Sequence, residues 1–306
     1  MSDPTIDPGT RFGPYVIDRP LGEGGMGLVY VAEDTRLQRQ VALKLLRGDS
    51  KDPNARSRLI REARVAAGVS HPYLCQVFEL GEWDGQPFIA MELVAGEPLD
   101  VRLDRGPMPP AEAIGVATMV VEALAALHQH GIVHRDLKPS NIFVTPNGVK
   151  VLDFGLARPF DSADSATGVD LTLAGTIVGT PRYAAPEQLS GAAVDARADL
   201  FSTGAILFEM LAGRPPFAGA TLAALVHAVQ YETAPVLTGS PAISAVDRIV
   251  HRALAKRPAD RYPTAEALGA ELRAVFPLVS TERVAEARPI VRLAVLPFRM
   301  TRPDQE

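Results

Sequence analysis

His134-Arg135-Asp136-Leu137-Lys138-Pro139-Ser140-Asn141 and, a short way downstream, Asp153-Phe154-Gly155 decide how the rest of this chain is read. Either fragment alone carries little weight, because a three-residue match arises by chance in many chains. Together they set a carboxylate able to accept a proton, an ammonium able to meet a phosphate and two oxygen ligands for a hard cation within one short stretch. Phosphoryl transfer from a magnesium nucleotide requires that combination.

Upstream lies Gly22-Glu23-Gly24-Gly25-Met26-Gly27-Leu28-Val29, followed by Val41-Ala42-Leu43-Lys44 and then Glu62; downstream lies Ala185-Pro186-Glu187. The spacing of Gly22, Gly24 and Gly27 also occurs in dinucleotide folds, where it opens a helix behind a strand. Here the strand-like run Leu28–Ala32 follows instead, so the glycines read as a hairpin lid whose backbone lies over phosphates. A P-loop would need Gly-Lys-Ser/Thr, which the segment lacks. Lys44 stands alone in an apolar strand and reads either as a surface lysine at a strand edge or as a buried ammonium that must be paired.

Five motifs in this order make the chain resemble the protein kinase family, from about Tyr15 to about Phe276. The wording Gly-Glu-Gly-Gly-Met-Gly and Gly179-Thr180-Pro181-Arg182-Tyr183 is most similar to bacterial eukaryotic-type Ser/Thr kinases. The resemblance implies an α+β, two-lobed fold. A small antiparallel sheet with one main helix would occupy 14–95, and a larger, mainly helical lobe 96–276. It implies an ATP-dependent serine/threonine protein kinase with activation-loop autophosphorylation, using Mg2+ or alternatively Mn2+. A pseudokinase that binds nucleotide or partners without turnover is the competing reading, and intact Lys44, Asp136, Asn141 and Asp153 speak against it. A third reading gives signal reception to a C-terminal region, with the kinase as output.

The resemblance also assigns residues. Asp136 would accept or orient the hydroxyl proton of a protein substrate, and Lys138 would steady the transferred phosphoryl group as a point charge. Lys44 would meet the α- and β-phosphates and, in the active state, Glu62; Asn141 and Asp153 would hold the metal ions. Leu21, Gly22, Gly24, Gly27, Val29, Ala42, Met91 and Phe143 would surround the nucleotide, with backbone groups near Glu92 and Val94 bonding the base. Any one of these apolar residues is by itself more often plain core. Thr180, with Lys138, would recognise the acceptor hydroxyl. Glu187 and Arg261 would form a structural ion pair, and Asp199 would brace the catalytic loop. His134 reads as a packed residue rather than a base, and Phe154 as a packing element against His134, Ala66 and Val77. Thr172 and Thr176 are candidate phosphosites, with Arg135 and Arg158 placed to share one phosphate. Ser162, Ser165 and Thr167 read as incidental sites. Three positions depart from the family's wording: Ala66 is small for its spine position, Leu28 replaces a commonly acidic residue, and Ala184 replaces the common Met before Ala-Pro-Glu, which puts the shape of the substrate pocket in doubt.

Composition sets wider limits. A chain of 306 residues can bury a large core. With 47% hydrophobic and 22% charged residues it is an ordinary globular sequence, and a net charge of −5 gives no global basic field for nucleic acid or anionic membrane. The single cysteine, Cys75, excludes an intramolecular disulfide and, in the apolar run Leu74–Leu80, reads as a buried structural thiol. The N-terminus lacks the basic region and apolar core of a secretion signal, and no uninterrupted apolar run approaches the ~20 residues that span a bilayer. A cytoplasmic location with no membrane segment is therefore expected, with protein substrates, no nucleic acid, and room for a kinase homodimer that autophosphorylates.

Along the chain, 1–13 reads as a flexible leader, and Tyr15–Leu46 as strands with intervening turns. A helix is expected over Ala55–Val69, then strands over Leu74–Leu80 and Pro87–Val94. Helical patterns cover Pro110–Gly131, Arg197–Ala212, Leu222–Gln230, Ala245–Ala255 and Ala265–Val275. There is no internal repeat, and Asp161–Asp170 is the one low-complexity stretch. Residues 277–306 read as a linker and, in Arg292-Leu293-Ala294-Val295-Leu296-Pro297-Phe298, resemble the opening of a TolB-like N-terminal domain.

Overall fold

The computed structural model describes residues 6–24, 27–46, 67–154 and 181–286. Most of the helix expected over Ala55–Val69, with Glu62 and Ala66, lies outside the described residues. So do Gly155, Arg158, Asp161–Asp170, Thr172, Thr176, Thr180 and the Arg292–Phe298 run.

Six antiparallel strands form the N-lobe sheet: β1 (Arg11–Phe12), β2 (Tyr15–Gly24), β3 (Gly27–Asp34), β4 (Arg39–Leu45), β5 (Val77–Trp83) and β6 (Gln86–Glu92), in the order β1-β2-β3-β4-β6-β5. The two-residue side-chain period of a strand explains how this sheet serves two purposes. On β4, Val41, Leu43 and Leu45 enter an apolar core with Tyr15, Ile17, Tyr30, Phe88 and Ala90. The alternate residues Ala42 and Lys44 therefore face the opposite side, toward the cleft. On β6 the same alternation sends Phe88 and Ala90 into that core, and Ile89 and Met91 to the other face. Registers Val31↔Ala42, Ala42↔Met91 and Lys44↔Ile89 line the cleft residues up across three strands. The β5–β6 hairpin turns at Asp84-Gly85, both at positive φ (49° and 78°), which sets its strands at 77–83 and 86–92 rather than 74–80 and 87–94.

The C-lobe is built on α1 (Leu99–Leu103), α2 (Pro110–Gln129), α3 (Pro186–Ser190), α4 (Arg197–Ala212), α5 (Leu222–Tyr231), α6 (Pro241–Ala253) and α7 (Ala265–Glu286). A second sheet joins β7 (Glu97–Pro98), β8 (Ile142–Thr145) and β9 (Gly148–Val151). Helix α4 is buried along nearly its whole length, from Ala198 to Met210. Among the described helices α2 alone is long and apolar enough to cross a membrane by composition; it packs on α7, α4 and β9, with Ala113, Val120, Leu124 and Leu127 in the core.

Three elements differ from expectation for legible reasons. Helix α6 starts at Pro241, four residues before the predicted Ala245, because Ser240 Oγ accepts the amide of Ile243 and Pro241 suits the first turn. Helix α7 continues past Pro277 to Glu286, because Val275 and Val279 bury the same face one turn apart and packing overrides the local breaker. The β8–β9 hairpin was not anticipated; Thr145↔Gly148 closes it around Pro146-Asn147, with Gly148 at φ 123°.

Candidate active site

The loop that carries Asp136 is anchored from below by one carboxylate. Asp199, in the first turn of α4 and buried to 1% exposure, accepts the amide of His134 (2.8 Å) on Oδ2 and that of Arg135 (2.9 Å) on Oδ1. His128 Nε2 lies 2.8 Å from the same Oδ2. Charged acceptors make the stronger hydrogen bonds, so these contacts hold a backbone that would otherwise relax. Arg135 sits at φ +66°, a left-handed conformation that costs a non-glycine residue on the order of 1–3 kcal/mol. His134 is fully buried and its Nε2 meets the carbonyl of Leu152 at 3.0 Å, a packing role.

Asp136 follows with its side chain partly open to solvent, and Lys138 Nζ stands 2.8 Å from its Oδ2. The 3-10 turn Pro139–Asn141 returns the chain so that Asn141 Nδ2 donates to the carbonyl of Asp136 at 2.9 Å. A carboxamide that gives its nitrogen to that carbonyl keeps Oδ1 as its acceptor face. The amide of Leu152 donates to the carbonyl of Asn141 at 2.8 Å, which couples this turn to the segment that delivers Asp153.

Asp153 itself adopts φ +58°. The left-handed step sends its carboxylate toward β4, where Oδ1 lies 2.7 Å from Lys44 Nζ, and lets Phe154 bury to 2% exposure in the same core as Val77. Lys44 is 4% exposed, so the ammonium has a carboxylate close by in a site where an unpaired charge would be costly. The sequence assigned Lys44 to phosphates and to Glu62, and this contact to Asp153 was not foreseen.

Next to these charges the cleft is apolar. Ala42, Cys75 and Met91 form a buried cluster with Val29, Leu93, Val94 and Leu152 against it. Cys75, Leu93 and Leu152 were absent from the expected pocket, since strand alternation alone does not reveal which neighbouring loops close over it. Burial pushes the Cys75 thiol up to about 12. Phe143, also expected there, is half-buried on β8, opposite Pro98 and Lys150. Leu21 is 47% exposed, and among the described residues a Cβ added to Gly22 would meet nothing within 4 Å. Gly24 pairs with Gly27 at the tip of the β2–β3 hairpin.

Glu92 ends β6 and turns its carboxylate out of the cleft. Its Oε2 lies 2.8 Å from Lys150 Nζ and accepts the amide of Gln76 at 3.2 Å. Its own amide donates to the carbonyl of Gln76 at 2.9 Å. The carbonyl of Glu92 has a Cys75 Sγ contact at 3.6 Å.

Supporting pairs surround the site. Arg261, buried in the lobe, donates from both terminal nitrogens to Glu187 (2.6 and 2.8 Å) and also reaches the carbonyls of Ala255, Lys256 and Arg197. Tyr183 donates its hydroxyl to Glu209 at 2.6 Å, and burial raises the Glu209 carboxyl above its ordinary range.

The Ala42, Lys44, Asp136, Asn141 and Asp153 positions thus share one cleft between the lobes. A family model described as a protein kinase domain matches residues 15–272. A probable serine/threonine-protein kinase PknB of Corynebacterium glutamicum is 42% identical over 84% of this chain and 41% of its own length. Serine/threonine-protein kinase PknB of Mycobacterium tuberculosis is 42% identical over 84% of this chain and 42% of its own. The chain therefore spans about two fifths of the length of these curated relatives. Among solved structures, a PknI kinase domain of Mycobacterium tuberculosis matches with a TM-score of 0.70 and 31% identity, covering 89% of this chain and 99% of that one.

Proposed function

Since the chain belongs to the protein kinase family, we propose that it is an active serine/threonine protein kinase that transfers the γ-phosphoryl group of ATP to protein hydroxyls. The observation that carries this reading is the convergence of Lys44, Asp153, Asn141, Asp136 and Lys138 through direct contacts and one shared backbone bond.

The donor set suits a divalent cation. Asp153 supplies a carboxylate and Asn141 an amide oxygen left over by the bond from its nitrogen to Asp136, and a magnesium ion takes few protein ligands because phosphates and water supply the rest. Asp153 and Asn141 would hold the ion, which would supply positive charge against the phosphates; Mg2+ is proposed, with Mn2+ as an alternative. The apolar cluster around Ala42 and Met91 would take the adenine face. The open space at Gly22 leaves phosphate oxygens able to approach the backbone. Lys44 binds phosphate oxygens as a fixed positive charge. Asp136 orients the acceptor hydroxyl and receives its proton as the new oxygen–phosphorus bond forms and the bond to ADP breaks. Lys138 balances charge on the moving group.

A Ser or Thr acceptor follows from Lys138 together with Thr180 in the family pattern and from the naming of the relatives as serine/threonine kinases. Control by phosphorylation at Thr172 or Thr176, a homodimer for autophosphorylation and a cytoplasmic location with access to ATP complete the proposal. The test is incubation with γ-labelled ATP and a basic protein substrate, followed by phosphoamino-acid analysis. Label on serine and threonine is expected; no transfer, or predominant phosphotyrosine, overturns the reading.

A further inference from the structure

Gln188, one residue past the Ala185-Pro186-Glu187 motif, makes two hydrogen bonds that no role so far described uses. Its Nε2 donates to the carbonyl of Arg135 at 2.7 Å, and its Oε1 accepts the amide of Ala185 at 2.9 Å. The assignment of nitrogen and oxygen is forced, because a carbonyl can only accept and a backbone amide can only donate.

The position of the first bond matters. Arg135 is the left-handed residue directly before Asp136, and its amide is already fixed by Asp199 at 2.9 Å. The carboxamide of Gln188 holds the other end of the residue, the carbonyl of the Arg135–Asp136 peptide. That peptide plane sets the direction in which the Asp136 side chain leaves the backbone. Asp199 alone fixes one side; with Gln188 both sides are fixed.

The second bond gives the link its meaning. Ala185 closes the segment Pro181–Ala185, which carries Tyr183 and the departing residue Ala184 and which the sequence places at the substrate pocket. The segment is itself tied to α4 through Ser202 Oγ, which donates to the Tyr183 carbonyl at 2.7 Å. Helix α3, where Gln188 sits, starts at Pro186 and carries in its first turn the Glu187 that forms the buried pair with Arg261, so the carboxamide projects from an anchored base.

We propose that Gln188 is a positioning residue for phosphoryl transfer, joining the substrate-docking segment to the catalytic loop so that Asp136 is oriented relative to the acceptor hydroxyl. The proposal rests on the kinase reading above. It predicts that the donor bond to Arg135 acts on turnover, while the acceptor bond to Ala185 acts on local stability.

Two variants separate these effects. Gln188→Glu keeps an oxygen for the Ala185 amide and replaces the donor by a carboxylate oxygen facing the Arg135 carbonyl. Gln188→Met keeps the length and removes both bonds. With a peptide substrate, kcat should fall roughly 10-fold to 100-fold in both, the scale expected when a reacting group is misplaced by about an ångström, while KM for ATP stays within about twofold. Thermal melting should fall in both variants, since Gln188→Glu sets two acceptor oxygens against each other and Gln188→Met removes both bonds, while each stays folded at the assay temperature. If Gln188→Glu turned over peptide at the wild-type rate, Gln188 would be only a cap for α3 and the proposal would fail. A loss of kcat in both variants that merely tracked loss of the melting transition would also overturn it. Failure of wild-type protein to label any substrate would instead remove the kinase reading itself.

Discussion

Lys44 Nζ and Asp153 Oδ1 stand 2.7 Å apart, joining a strand of the N-lobe to the segment that follows β9 in the C-lobe. The ammonium is 4% exposed and the carboxylate more open, so the pair spans the inner wall of the cleft and its mouth. Two groups separated by more than a hundred residues in sequence are thereby held in direct contact.

The pair leads to the first prediction. Lys44→Met and Asp153→Asn should each reduce phosphorylation of a basic substrate by at least ~100-fold, since fixed charge at the transferring group is the main source of rate in this chemistry. Both should fold, because methionine matches the buried length of lysine and asparagine keeps the shape of aspartate. Labelled-phosphate transfer measured beside circular dichroism checks it. Wild-type rates in either folded variant would remove these residues from the active site.

Arg261→Ala should lower unfolding free energy by about 3–5 kcal/mol, the usual cost of leaving one member of a buried pair alone. Three carbonyls lose a donor as well, those of Ala255, Lys256 and Arg197. Glu187→Gln should cost less, because its amide oxygen still accepts from the guanidinium. Urea unfolding curves compare the two; an equal or reversed order would contradict the assignment of Arg261 as the hub.

Cys75 should resist thiol reagents in the native protein and react after unfolding in urea, at least ~100-fold faster, because the thiolate is the nucleophile and burial holds its formation up to about 12. The folded value is raised, so its stability contribution is complete below the ordinary value of 9.0 and is lost as pH rises from there toward about 12. Over that window Cys75→Ala should show a shallower decline of stability with pH than the wild type. Rapid labelling of folded protein would contradict the burial.

Loop phosphorylation supplies the fourth prediction. Mass spectrometry of active protein should find phosphate on Thr172 or Thr176, and the Thr172→Ala/Thr176→Ala double variant should lose most of its activity toward added substrate. Arg135, held at the base of the catalytic loop by Asp199, offers a guanidinium whose charge-assisted bonds to phosphate could order the segment. A fully active double variant would place control elsewhere.

Much of this was legible in one dimension. Linear order identified the motifs and the strand character of 15–46; once β4 is placed, the two-residue side-chain period puts Ala42 and Lys44 on one face, because strand geometry is a local rule. Helix α4 was bounded correctly at Arg197–Ala212, where apolar periodicity ends at Gly213. The start of α6 at Ser240-Pro241 is also written locally, in a capping residue followed by proline, although the apolar periodicity begins only at Ala245.

What the sequence by itself determined was which motifs this chain carries and on which local elements they ride. Only the tertiary structure decided which of them meet: Lys44 with Asp153, Asp199 beneath His134 and Arg135, Gln188 across to the Arg135 carbonyl, Cys75 and Leu152 closing the pocket wall. Those pairings are set by packing between lobes and helices distant in sequence. No local propensity encodes a contact whose partners are chosen by the rest of the fold.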